Sequence, residues 1–178
     1  MHPIALSWDE QGRLYVLITK DYPNERKESS GSDYVLRCED TDNDGKADKF
    51  TKFADGLSIP TGMVFANGGL IVSQAPHMLF LKDTDGDDKA DVKKVLFTGF
   101  GTFDTHAGPS NLHYGFDNWL WGAIGYSGFK GVVGESKDTI RFAQGFFRFK
   151  PDGSKLEFMT NTSNNTWGLG FNETGDVF

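Results

Sequence analysis

Two stretches of one pattern, Asp40-Thr-Asp-Asn-Asp-Gly-Lys-Ala-Asp48 and Asp83-Thr-Asp-Gly-Asp-Asp-Lys-Ala-Asp91, begin 43 residues apart, and both read D-x-D-x-D-x-x-x-D. The flanks are strand-like: Tyr34-Val-Leu-Arg-Cys38 and Met78-Leu-Phe-Leu81 precede the loops, and Val92-Lys-Lys-Val-Leu-Phe97 follows the second. Each loop therefore reads as a β-hairpin connection. A connection that returns at a blade-like interval marks a repeated unit. An EF-hand is excluded. Its position 12 requires a bidentate Glu and helices on both sides, whereas position 12 here is Thr51 in one copy and Lys94 in the other.

A second hairpin alternates with the first. It runs over Ala5–Val16, Met63–Val72, Leu112–Trp121 and Leu169–Phe178. Aligning Trp8, Phe65, Tyr114 and Phe171 gives steps of 57, 49 and 57 residues. The third copy of the intervening hairpin, Phe146 to Phe158, turns on Pro151-Asp-Gly153 instead of an Asp loop. Each unit is thus two hairpins and a connector, four strands in about 50 residues, the signature of a propeller blade. The expectation is an all-β chain, a partial β-propeller, with blade-like units over 5–54, 55–101, 111–160 and 169–178. Three units and the start of a fourth do not close a ring, so the remainder of a longer propeller is expected to complete it. The competing reading is a small β-sandwich with a coincidental repeat.

Composition agrees with strands. Aromatics are 14%, Gly numbers 22, and helix-period apolar stripes are absent. The net charge of -7 is local, since the two Asp loops hold nine of the 25 acidic residues. It predicts no nucleic-acid partner, because no basic patch exists. The lone Cys38 leaves no internal disulfide, and no apolar run is long enough to span a membrane.

Four carboxylates converging on one point repel unless a cation sits between them, and calcium accepts six to eight hard oxygens in flexible geometry. Asp40, Asp42, Asp44 and Asp48 form one candidate calcium site. Asp83, Asp85, Asp87 and Asp91 form a second, weakened because Asp88 stands where Gly45 makes the sharp turn. The other reading of both is a solvated, Asp-rich turn. Calcium sites of this weak type are expected outside the cytoplasm, in a periplasmic or extracellular protein.

Alternating strand direction sorts the loops between two ends. The Asp loops lie at the end called lower here. The handovers between units and the second-to-third connectors lie at the upper end, where propellers bind ligands. There, His106 is the candidate base, since imidazole titrates near neutrality, with Asp104 to orient it. Its alternative is a hydrogen-bonded turn histidine. The charged, Ser-rich stretch from Lys20 to Ser32 reads as a mobile loop.

The ordered series Asp83 to Asp91, Thr98-Gly-Phe-Gly101 and Thr105-His-Ala-Gly-Pro-Ser-Asn111, with Pro60-Thr-Gly62 and Gln74-Ala-Pro76, resembles the membrane-bound dehydrogenase-type propellers of planctomycete and verrucomicrobial bacteria. Those are in turn similar to the six-bladed glucose/sorbosone dehydrogenases, which use pyrroloquinoline quinone (PQQ). The resemblance implies oxidation of a sugar or related alcohol, with His106 as the base and Gly108 matching the same segment. It implies quinone contacts at Asn111, Asn164 and Asn165, and a parent protein associated with a membrane. The sequence departs from the pattern where two Arg are expected, which are replaced by Ser110 or Asn111 and by Asn164. A calcium propeller that binds glycans or proteins without turnover, and a lactonase-type hydrolase, remain alternatives.

Overall fold

The computed structural model describes residues 2–24, 31–163 and 166–178. No helix occurs among them, and the strands form antiparallel sheets. The first sheet contains β1 (His2–Trp8), β2 (Leu14–Thr19), β3 (Asp33–Glu39) and β4 (Lys49–Leu57), paired in chain order. The second contains β5 (Gly62–Ala66), β6 (Gly69–Gln74), β7 (His77–Lys82) and β8 (Val92–Thr98), again in chain order. In the third, β9 (Pro109–Tyr114) pairs with β10 (Leu120–Ile124), then β13 (Gly145–Phe149), then β14 (Leu156–Asn161). Between β10 and β13 the chain makes a separate hairpin of β11 (Phe129–Gly131) and β12 (Ile140–Phe142). The expected four-stranded antiparallel sheets are present, and β4 of the first runs to Leu57.

Two-residue periodicity decides how the sheets stack, because successive side chains on a strand point to opposite faces. In β6, Leu70 and Val72 turn toward Tyr15, Leu17, Val35 and Phe53 of the first sheet. Ile71 turns the other way, toward Leu112, Leu120, Phe147 and Phe149 of the third. The same alternation in β7 sends Leu79 and Leu81 one way and Met78 the other. The second sheet is therefore buried on both faces. Burying a Leu, Val or Phe of this kind contributes about 1.5–3 kcal/mol each. The leading strands β1, β5 and β9 are neighbours in space.

Each pair of neighbouring sheets is fastened at both ends. At the lower end, Ala90 N–H donates to Phe53 O at 2.6 Å, tying the second Asp loop to β4. In the same place Asp88 pairs with Arg37 of β3. One unit later, the turn at Gly153 lies so close to Leu96 of β8 that a Cβ would approach Leu96 Cβ to 2.9 Å. At the upper end, Ile59 N–H donates to Asp33 at 2.7 Å, and Ser73 Oγ donates to Pro109 O at 3.1 Å. The final hairpin, bridged at Phe171 and Val177, packs on the outer face of the third sheet, with Phe171 edge-on to Trp121 at 5.5 Å.

Candidate functional site at the upper end

The handover from β8 to β9 carries His106 and Asp104. A bridge between Phe100 and Phe129, and Gly101 N–H donating to Gly128 O at 2.9 Å, anchor its first half to the inserted hairpin. Asp104 then caps its own turn, accepting His106 N–H at 2.8 Å. The same Oδ1 lies 3.0 Å from His106 Nδ1. Its second oxygen accepts the Tyr126 hydroxyl, and Ser127 Oγ donates to Asp104 O at 3.0 Å. The Tyr126 hydrogen bond, then the His106 amide, hold the Asp104 carboxyl below its usual value, while the same bond raises the Tyr126 phenol. An Asp kept ionised beside Nδ1 favours the tautomer with a proton there and leaves Nε2 as the basic nitrogen. Among the described residues Nε2 makes no hydrogen bond, and the imidazole is 54% exposed.

The first sheet supplies the roof. The Tyr22 ring meets His106 edge-to-face with centroids 5.2 Å apart, and Pro23 O accepts Thr105 Oγ1 at 2.9 Å. Beside this group lies a cavity of about 190 Å³, walled by Ser58, Ile59, Thr61, Gln74, Thr102 and Asp104 among others. Ser58 Oγ is buried there and has no hydrogen-bond partner among the described residues. Ile59 has φ +49°, a region that a β-branched residue enters at a cost of about 1–3 kcal/mol. Its amide bond to Asp33 and the burial of its side chain offset that strain.

By its place in the repeat, Asn111 is expected to end the handover that starts at Gly99 and precedes the Leu112 hairpin; it lies within β9 instead. There Trp121 faces His113 and Ala123 faces Ser110, so the strand bulges at Asn111 and Leu112, and Asn111 takes φ +52°. Its side-chain amide donates to Ser110 Oγ at 3.0 Å. Asn164 and Asn165 lie outside the described residues. The expected mobile loop over 20–32 is held at both margins. Asp33 accepts Lys20 N–H and Asp21 N–H, and Asp21 accepts Ser32 N–H at 2.8 Å; residues 25–30 lie outside the described residues.

At the lower end the Asp loops share one backbone path. Positions 4 and 6 take positive φ in both: Asn43 and Gly45 at 60° and 87°, Gly86 and Asp88 at 82° and 70°. Carboxylate oxygens of Asp40, Asp42 and Asp48 lie within 4.8 Å of one another, and so do those of Asp83, Asp85 and Asp87. These triads could hold a cation. Asp44 stands outside the first, accepting Lys46 N–H at 2.8 Å. Asp91 stands outside the second, accepting Thr84 N–H at 2.8 Å and the Thr84 hydroxyl. Asp88, which looked like a defect in the turn, is instead the partner of Arg37. Its carboxyl is held below the usual range chiefly by that hydrogen bond.

Sequence reasoning put Tyr22 and Tyr126 in upper-end connectors, 21–23 and 122–128, without giving either a role, and it missed the Arg37–Asp88 pair. Each joins units distant in sequence, and only the Asp-for-Gly exchange at position 88 left a mark in the repeat. Among the described residues no helix is long and apolar enough to cross a membrane.

No curated protein matches the chain, and no solved structure does. A family model described as "Domain of unknown function (DUF7133)" matches residues 1–178 throughout, and the chain belongs to that family.

Proposed function

We propose that the three sheets are blades of a β-propeller whose upper end binds a small hydroxylated substrate, a sugar or related alcohol, with His106 Nε2 as the base that takes a hydroxyl proton. The observation that carries this reading is the Asp104–His106 pair, with Nδ1 held at 3.0 Å and Nε2 open, at the edge of a hydroxyl- and amide-lined cavity whose one carboxylate is Asp104 itself. The Thr61 hydroxyl, whose proton goes to Pro109 O, keeps acceptor capacity, and the Gln74 amide, whose oxygen takes Ser58 N–H, keeps its NH₂ donors, the groups that substrate hydroxyls require.

The resemblance to quinone-dependent dehydrogenases implies PQQ as hydride acceptor. The cavity's described lining contains no Lys or Arg, and its one carboxylate is Asp104. Such a lining does not fit a quinone bearing several carboxylates, which calls for cationic donors. No step is assigned to it. Exposed Phe103, between the lining residues Thr102 and Asp104, and Tyr126, bonded to Asp104, lie 6.1 Å apart and favour a second reading in which the site holds a glycan without turnover. In either case calcium in the Asp40–Asp42–Asp48 and Asp83–Asp85–Asp87 triads would be structural, offsetting carboxylate repulsion at the opposite end. Sites without a bidentate Glu suit the roughly 10⁻⁴–10⁻³ M range of extracellular calcium modules and hence a periplasmic or extracellular setting.

The test is turnover of a panel of sugars and alcohols by the full-length protein, with and without added PQQ. His106→Gln should reduce turnover by about 10²–10⁴-fold, the usual contribution of a positioned base, and leave calcium binding unchanged. Full turnover in His106→Gln would remove the base role. Binding of a sugar that is never oxidised would favour the glycan reading.

A further inference from the structure

Asp33 opens β3 and is 0% exposed, and it does not itself line the upper cavity. A buried carboxylate is costly unless its lone pairs are filled. Here both oxygens are. Oδ1 accepts Lys20 N–H at 2.6 Å and Asp21 N–H at 2.9 Å. Oδ2 accepts Thr19 Oγ1–H at 2.9 Å and Ile59 N–H at 2.7 Å. The four donors belong to two separate segments, and both border the His106 site.

The first segment leads to the roof. Thr19 is 1% exposed, and its Oγ1, having given its proton to Asp33, accepts Tyr22 N–H at 3.1 Å. Tyr22 and Pro23 are the residues that meet His106 and Thr105. The second segment leads to the wall, because Ile59 and its neighbour Ser58 line the cavity. One carboxylate thus sets two parts of the site that no strand pairing connects. Resting on the reading of His106 as a base, we infer that Asp33, acting through Thr19, is the positioning residue that fixes the Tyr22 edge on the imidazole and the Ser58–Ile59 wall beside it. It touches no substrate. Its role is to keep the imidazole ring from swinging away from the reacting hydroxyl.

The experiment compares three variants of the full-length protein. Asp33→Asn preserves shape but turns an NH₂ group toward backbone N–H donors. Thr19→Val deletes the hydroxyl between Asp33 and Tyr22, and Thr19→Ser keeps it. The first readout is the nuclear Overhauser contact between the Tyr22 and His106 rings, which requires no turnover. It should be lost in Asp33→Asn and Thr19→Val and retained in Thr19→Ser. The second is steady-state kinetics, where kcat should fall by about 10²-fold in the first two variants, as for a misplacement of about 1 Å, with a smaller change in KM. If Asp33→Asn does not fold, the Thr19 pair decides. An intact ring contact in folded Asp33→Asn or Thr19→Val would overturn the inference. So would loss of the contact in Thr19→Ser, which would assign the effect to packing of the methyl group. If the contact behaves as expected while His106→Gln leaves turnover unchanged, the positioning role stands and the base role falls.

Discussion

At residue 88 a local rule yields to a longer-range one. Position 6 of the loop favours Gly, yet Asp88 occupies it at φ +70°, a region that Asp tolerates better than most residues. The gain lies across the sheet boundary, where Arg37, 3% exposed, holds Asp88 and Glu39, the latter at 2.5 Å. Burial opposes the Arg37 charge, and the Glu39 and Asp88 hydrogen bonds more than restore it. Asp88→Asn should cost about 2 kcal/mol at neutral pH, less than the usual 3–5 for breaking a buried pair, because Asp88 is partly exposed and Glu39 remains. The folded-state value of Asp88 is depressed below 3.8, so the pair's contribution is fully present above that pH and is lost as pH falls through the folded value. Urea unfolding should therefore separate the variant from the parent at pH 7 and bring the two together in acid. A constant gap across that range would assign the loss to packing instead of charge. The sequence displayed the exchange at 88 but not Arg37's place beside it, since the two are 51 positions apart and belong to different units.

Among elements, the four-strand units, their hairpins and the sorting of loops between two ends were all readable from spacing and alternation, because these follow from periods of two and about 50. The handover from β8 to β9 was readable as a loop with His106 and Asp104, but not in its anchorage. That depends on the β11–β12 hairpin, whose short strands lack a clear alternating pattern. Two glycines in this handover separate the effects. A Cβ on Gly101 would land on the Ser127 carbonyl, in the segment that carries Tyr126 to Asp104, whereas Gly108 has open space around it. Gly101→Ala should lower stability by about 1–3 kcal/mol, as overpacking does, and weaken the Tyr126–Asp104 bond. Gly108→Ala should change stability by less than about 0.5 kcal/mol. Equal melting temperatures for the two would mean that the hairpin does not hold the handover. Asn111 was misplaced for a similar reason: the bulge that draws it into β9 is fixed by register against β10, which one strand's sequence does not display.

For the whole molecule, calcium held in the acidic triads, as proposed above, would change both charge and stability. Two bound ions would bring the formal charge from -7 to -3. Calcium at about 100 times its dissociation constant should add about 2.7 kcal/mol for each occupied site, seen calorimetrically as a rise in melting temperature that a chelator reverses. Asp42→Ala with Asp48→Ala should abolish the part due to the first triad, while Asp44→Ala, outside that triad, should spare most of it. An unchanged calcium response in the double variant would dismiss the first site. The lower fastenings also run in one direction. The turn at Ala90 closes onto Phe53, and the turn at Gly153 closes onto Leu96. In both, the receiving strand lies earlier in the chain. During translation each such surface has already been made when the turn that will grip it is added, so these joints can close in order of synthesis.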